Sequence, residues 1–199
     1  MATTQPLQGL SEGDRLIVGG DRFVTVSAEL AAAFQPGDRV VVVHETGDLL
    51  HIPSAEHAAA SSAVEAAVSA FEALSRCTDE QITDFYHRFA NLLADDAVFA
   101  SIATANEADV ADARQRGRAV GRLTLSASMR AGMIDGLRVW RDIPTRRRQQ
   151  IGEVLHGQWS VEQWRDPLGT VGFVFEGRPN VFADATGVLR TGNTVVFRI

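Results

Sequence analysis

Three periodicities follow one another along the chain. From Asp14 to Pro53, short apolar runs ("RLIVGG", "FVTV", "DRVVVVHETGDLLHIP") are cut by turn signals at Gly19-Gly20, Pro36-Gly37 and Gly47-Asp48, which predicts strands. "SAELAAAF" between them is long enough for a short helix with Ser27 as its N-cap. Residues 1–10 show no period and are expected to be loose. From residue 54 the period becomes helical. "SAEHAAASSAVEAAVSAFEAL" places Val64, Ala67, Val68, Phe71 and Leu74 at helical spacing. Thr78 and Gln81 form a capping-box signature for the next helix, "DEQITDFYHRFANLLAD", whose apolar stripe reads Ile82, Phe85, Phe89 and Leu92. A third helix over "AVFASIATANEADVADARQR" is expected to stop at Gly117, and a fourth over "SASMRAGMIDGLRVWRDI" before Pro144.

After "TRRRQQ" a period of two returns. "IGEVLHGQWSVEQWRDP" predicts an antiparallel pair turning at Gly157. Strand 168–175, helix 180–191 and strand 193–199 then make a βαβ unit, hence a parallel sheet. The expected fold class is α/β in two parts: a β-rich N-terminal extension over 1–53, and a helical then parallel-sheet portion over 54–199. A buried parallel strand needs both faces covered, and no helix follows the final one, so the α/β part reads as incomplete.

Composition then narrows the classes. With 45% apolar and 22% charged residues the chain reads as a soluble globular protein able to bury a core. No apolar run approaches the ~18 residues of a membrane span, and the N-terminus lacks the basic start and hydrophobic stretch of a signal peptide. The one cysteine, Cys77, excludes an internal disulfide and fits a cytoplasmic setting. A net charge of −6 argues against nonspecific nucleic-acid binding. All nineteen basic residues are arginine, so no lysine forms a Schiff base. The five histidines are scattered without metal spacing, and no metal is implied.

The candidate chemistry gathers at "FEGRPN", residues 175–180, where an apolar strand hands over to a helix. Gly177, Pro179 and Asn180 suffice for a turn, and charged Glu176 and Arg178 beside them mark a binding corner. Asn180 either caps the following helix or offers its amide to a ligand. Arg178 either pairs with Glu176 or Asp184, or holds an anionic group of a ligand. Cys77 precedes a helix N-terminus, where the dipole favours a thiolate. Its other reading is a small, half-buried linker residue. Arg146, Arg147 and Arg148 form either a solvated loop or a contact for an acidic partner.

"ANEADVADARQRG" (105–117), "RLTLSASMRAGMIDGLR" (122–138), "PLGTVGFVFEGRPN" (167–180) and "TGNTVVFRI" (191–199) follow in fixed order. Over roughly 55–199 they resemble the N-terminal part of the gamma-glutamyl phosphate reductase (glutamate-5-semialdehyde dehydrogenase) family, within the aldehyde dehydrogenase superfamily. The resemblance implies an aldehyde dehydrogenase-like fold and NADPH-dependent reduction of an acyl phosphate through a cysteine thioester. The substrate it implies is an activated amino acid, gamma-glutamyl phosphate in proline biosynthesis. It implies a homo-oligomer in which the antiparallel pair makes contacts. It makes Asn180 catalytic, its amide helping to form an oxyanion hole. Glu176, Gly177 and Pro179 would lie along the nicotinamide side of NADP. Arg198 would favour NADPH by pairing with the 2′-phosphate, or is a strand-end surface arginine. Arg178 would hold a phosphate or carboxylate of the substrate. The family's nucleophilic cysteine belongs to a later domain. This chain is therefore expected to supply the cofactor-side and oxyanion parts and to be inactive alone. Gly177, where relatives carry Ala or Ser, and the arginine run depart from the family pattern and leave the substrate open.

Residues 14–53 resemble the swapped-hairpin domains of bacterial transition-state regulators and antitoxins. Arg15, Arg22 and Arg39 are outnumbered there by Asp14, Asp21, Glu29, Asp38, Glu45 and Asp48, which disfavours DNA. An oligomerisation or docking piece is the expectation. The alternative function for the whole chain is a noncatalytic docking protein that keeps half of the fold.

Overall fold

The computed structural model describes residues 5–198. The expectations for residues 1–4 and for Ile199 lie outside the described residues. The chain divides into two compact units, residues 1–63 and 64–199, and the division falls inside α2 (Ser54–Ser75).

The first unit holds two separate antiparallel hairpins. β1 (Arg15–Val18) pairs with β2 (Arg22–Thr25), and Gly19 and Gly20 turn the chain with φ of 64° and 90°, which only glycine adopts at low cost. β3 (Arg39–Val42) pairs with β4 (Leu49–Ile52). Between them runs α1 (Ala28–Ala33), capped by Ser27, whose Oγ accepts from the Leu30 N–H at 3.2 Å. Val18, Val26 and Phe34 are the buried apolar residues of this unit.

Asp38 ties its turn together. Its carboxylate accepts from the Gln35 N–H and the Ser54 N–H, each at 2.8 Å, and meets His51 Nε2 at 2.7 Å. The His51 contact, then the Gln35 N–H, hold the Asp38 carboxyl below the usual carboxylate range. A depressed folded-state pKa stabilises the fold above the unfolded value near ~3.9, and that contribution is lost as pH falls through the folded value. The Gln35 and Ser54 amide resonances are therefore expected to titrate with a midpoint below ~3.9, and to lose that titration in Asp38→Asn. A midpoint at or above the ordinary value counts against the network.

The second unit opens with helices. α3 (Asp79–Ala94) starts on the expected capping box, with Thr78 Oγ1 accepting from the Gln81 N–H and Gln81 Oε1 from the Thr78 N–H. Asp95 ends α3 and caps α4 (Asp96–Gln115) by accepting from the Ala97 and Val98 N–H groups. α4 stops before Gly117, at φ 67°, and α5 (Ala127–Asp142) follows with Ser126 as its cap. Ile82, Tyr86, Ala90 and Leu93 of α3 pack on Met133 and Leu137 of α5 to form the core cluster.

The buried stripe of α3 is therefore not the one read from the sequence. It shares Ile82, and Phe89 packs against its edge, but the stripe turns by one residue and leaves Phe85 40% and Leu92 52% exposed. Tyr86 takes the inner face because its hydroxyl donates to the Thr186 carbonyl at 2.7 Å, a bond that makes a phenol tolerable in a core. Burial pushes that hydroxyl's pKa above its ordinary range. Of the expected α2 stripe, only Ala67 is buried, at 8% exposure.

The arginine run lies in a loop, as one of its two readings had it, with Arg146 and Arg148 exposed, but Arg147 is held by the protein. Arg147 donates to Asp79 Oδ1 through Nε (2.9 Å) and Nη2 (2.6 Å), and Nη2 also reaches the Cys77 carbonyl at 2.8 Å. Arg148, at φ 52°, donates to the Ser75 carbonyl. The carbonyls that α2 leaves unpaired at its end attract these cations, so the run straps the α2–α3 junction. Cys77 is half-buried there, with Sγ 3.6 Å from the Ala73 carbonyl.

β5 (Gln150–His156) and β6 (Trp159–Trp164) form the expected hairpin around Gly157. β7 (Thr170–Val174) pairs in parallel with β8 (Thr194–Arg198), in the register Thr170↔Thr194 to Val174↔Arg198. The expected helix 180–191 is α6 (Val181–Thr186) followed by a 3₁₀ turn over Gly187–Thr191. Gly192, at φ 82°, ends it, and a Cβ there would stand 2.7 Å from Arg147 and 2.9 Å from Pro167.

Candidate functional site

The corner at residues 175–180 lies at the carboxyl end of β7, the end at which parallel α/β sheets bind ligands. The Phe175 N–H continues the ladder to the Arg198 carbonyl at 2.9 Å, and the chain then leaves the sheet. That register brings Arg198, the last described residue of β8, to the same end of the sheet as the corner. Gly177 faces open space, since a Cβ there would meet no atom within 4 Å. Pro179 fixes the backbone just before Asn180.

Seven long-range bonds hold the corner and the elements behind it. Thr194 Oγ1 lies 2.8 Å from the Ala67 carbonyl and 3.0 Å from its register partner Thr170 Oγ1. The Trp140 indole N–H donates to the Ala183 carbonyl at 3.2 Å, and Tyr86 holds Thr186. Arg190 is only 6% exposed and donates to the Ile143 carbonyl (2.6 Å), Thr83 Oγ1 (2.7 Å) and the Arg141 carbonyl (3.0 Å).

Each charged group of the corner has a partner on the protein. Glu176 takes both of its oxygens to Arg122 Nη1, at 2.6 Å each. Arg122 sits in a loop fixed by Asn106, whose amide accepts from the Leu125 N–H and donates to the Leu123 carbonyl. Arg178 Nη2 donates to Asp184 Oδ2 at 3.1 Å, so of the two ion pairs open to it the Asp184 one forms. Its Nε is buried without a hydrogen-bond partner among the described residues.

Asn180 occupies the N-cap position of α6, yet its side chain makes no capping bond. Its Oδ1 is buried and has no partner among the described residues. A buried amide atom left unpaired costs stability, so its place calls for an explanation outside helix capping. A half-turn of the amide puts its N–H donors at the same spot. Asn180 also lines a cavity of about 230 Å³ between α5 and α6.

Sequence reasoning did not single out Arg122, Asn106, Arg190 or Asn193. Asn193 accepts from the Gly169 N–H and donates to Thr191 Oγ1, tying the start of β7 to the turn before β8. Its signal was the Gly192-Asn193 pair itself, a turn dipeptide between a helix and a strand. Among the described residues no cluster of His, Cys, Asp or Glu is set to hold a metal, and no helix is long and apolar enough to cross a membrane.

No known protein-family profile matches the chain. Gamma-glutamyl phosphate reductase from Nitrobacter winogradskyi is 43% identical over 106 residues, covering 50% of this chain and 24% of that protein. The enzyme of the same name from Rhodopseudomonas palustris is 40% identical over 110 residues, with the same two coverages. Among solved structures, gamma-glutamyl phosphate reductase from Thermotoga maritima superposes with a TM-score of 0.64 at 26% identity, over 69% of this chain and 34% of that one. The Saccharomyces cerevisiae enzyme, at 22% identity and a TM-score of 0.62, shares the fold over 69% of this chain and 36% of its own. The chain thus spans about a quarter of the length of the curated relatives it matches. Over half of its sequence and about two thirds of its fold, this α/β chain is similar to a part of gamma-glutamyl phosphate reductase.

Proposed function

We propose that this chain provides the cofactor-side and oxyanion-stabilising part of an NADPH-dependent reductase of an acyl phosphate, giving the semialdehyde of a glutamate-like amino acid, as in proline biosynthesis. The observation that carries the reading is Asn180: its amide oxygen is buried just beyond the carboxyl end of a parallel strand, without a partner among the described residues, and its side chain is not used as a cap. Similarity to gamma-glutamyl phosphate reductase supports it.

An amide N–H in that position donates to a carbonyl oxygen as negative charge builds on it. Once the amide has made the half-turn that brings its N–H to that spot, the fold holds the donor where charge builds, which limits reorganisation at the moment of reaction. The residues present fit a phosphate-bearing nucleotide: Gly177 leaves the backbone open to close approach, and Arg198 brings a guanidinium to the same sheet end. Glu176, Gly177 and Pro179 would line the nicotinamide side and Arg198 the ribose side. Bound NADPH supplies a hydride. Arg178 would hold the substrate's anionic end. Cys77 is not assigned the nucleophile's role, and the chain alone is expected to be inactive.

The test is reduction of NADP by glutamate semialdehyde and phosphate, with protein isolated from its source and any accompanying polypeptide retained. Asn180→Ala is expected to lower kcat by about a hundredfold. A variant with unchanged kcat removes Asn180 from the mechanism. Absence of turnover in the wild type favours the other reading, a noncatalytic docking or oligomerisation protein. That reading has its own observation in the fully exposed β6, with Trp159, Val161 and Trp164 open to solvent.

A further inference from the structure

The cavity beside Asn180 is shaped by a choice that helix formation disfavours. Its α5 wall carries Gly132 and Gly136, both in the helix interior, where glycine is a poor former. No close packing requires them, since a Cβ at either position would meet no atom within 4 Å. What they preserve is volume. At ~30 Å³ per water-sized group, about 230 Å³ has room for a chain of several atoms and not for a dinucleotide.

The opposite wall is α6, where Asp184 follows Asn180 by one helical turn, a rise of about 5.4 Å. One Asp184 oxygen accepts from Arg178; the side chain is 56% exposed, and its other oxygen is open to solvent and to a ligand. Arg178 Nε, an N–H donor, is buried and unmatched, as is the Asn180 amide oxygen. Unused acceptor capacity on a carboxylate, beside an unused guanidinium N–H, complements a group that carries both an ammonium and a carboxylate. The amide one turn away places the reacting carbonyl a short chain distant from that head.

We propose that Asp184 is the specificity-determining residue of this cavity. It receives the ammonium of an α-amino acid whose reacting side-chain carbonyl lies at Asn180, and Gly132 and Gly136 leave room for the intervening carbons. The inference rests on the reading of Asn180 given above, and it names the residue that separates an amino-acid substrate from a plain dicarboxylic one.

Binding measured without cofactor tests it on the full chain. L-Glutamate carries both head groups at that length, and glutarate lacks only the ammonium. Calorimetric titration is expected to show L-glutamate binding at least about tenfold more tightly than glutarate, an advantage lost in Asp184→Asn. Gly136→Leu is expected to abolish glutamate binding by filling the cavity, and Gly136→Ala to raise the melting temperature by about 2 °C. Equal affinity for the two acids, an advantage that survives Asp184→Asn, wild-type-like binding by Gly136→Leu, or no glutamate binding at all each overturns the proposal. These readouts need neither hydride transfer nor a nucleophile. Their failure therefore leaves the reductase reading to be decided by turnover.

Discussion

Replacing Arg190 by methionine is expected to destabilise the second unit by about 4 kcal/mol, read as a fall of about 10 °C in melting temperature. The guanidinium makes three hydrogen bonds, to the Ile143 and Arg141 carbonyls and to Thr83. Two of those acceptors belong to the last turn and cap of α5, whose carbonyls have no N–H of their own helix to meet them. A cation there also meets the negative end of the helix dipole. Methionine fills much the same volume and supplies no donor, so the carbonyls lose partners that water cannot fully replace. Arg190→Lys is expected to recover only part of the loss, because one ammonium does not reach three acceptors set around a planar fork. A loss below about 1 kcal/mol in Arg190→Met, measured by thermal unfolding, would show that solvent satisfies these carbonyls.

Gly187→Ala carries the second large effect, with a sign opposite to the usual one. In an ordinary helical setting the change from glycine to alanine gains about 1 kcal/mol. At position 187 the added methyl would stand 2.5 Å from Trp140 Cζ2 and 2.6 Å from Cε2. The indole is rigid, and its N–H is bonded to the Ala183 carbonyl, so it cannot swing aside without breaking that contact. A loss of about 2–3 kcal/mol is expected. The cause is checked by a double-mutant cycle. Trp140→Leu should itself destabilise, yet Gly187→Ala made in that background should cost little or nothing. An equal penalty in both backgrounds would place the fault elsewhere.

The secondary structure of this chain was legible wherever one local signal decided it. The capping box at Thr78 and Gln81, the αL glycine at 117 and the hairpin at Gly157 all formed as read. The stripe of α3 was misread because hydrophobic bulk was weighed without partners. Phe85 and Leu92 outrank Tyr86 and Ala90 in apolar area, but only a tertiary acceptor, the Thr186 carbonyl, lets the tyrosine turn inward. The helix after the corner was read as uniform because nothing local announces that Trp140 presses on Gly187. The anchoring of Arg147 and Arg148 was not foreseen for a similar reason, since the groups they grip lie about seventy residues upstream. At the site, charge and turn chemistry singled out "FEGRPN" as a strand-to-helix corner, which formed. Which of two acids Arg178 would choose, and whether Asn180 would cap, depended on distances that spacing does not contain.

The bonds behind that corner also impose an order on how the protein is made. Tyr86 and Thr186 are separated by 100 residues, Thr83 and Arg190 by 107, and Ala67 and Thr194 by 127. At roughly 5–20 residues per second, a ribosome needs on the order of 5–20 s to add a hundred residues. Helices form in microseconds. The Tyr86 hydroxyl and the end carbonyls of α5, with the Ala67 carbonyl of α2, therefore lack their native partners on the nascent chain until residues 183–194 emerge. The corner that carries the candidate chemistry is thus among the last parts of its unit to become rigid, and a translational pause after residue 142 would prolong the time in which chaperones can engage the helical block.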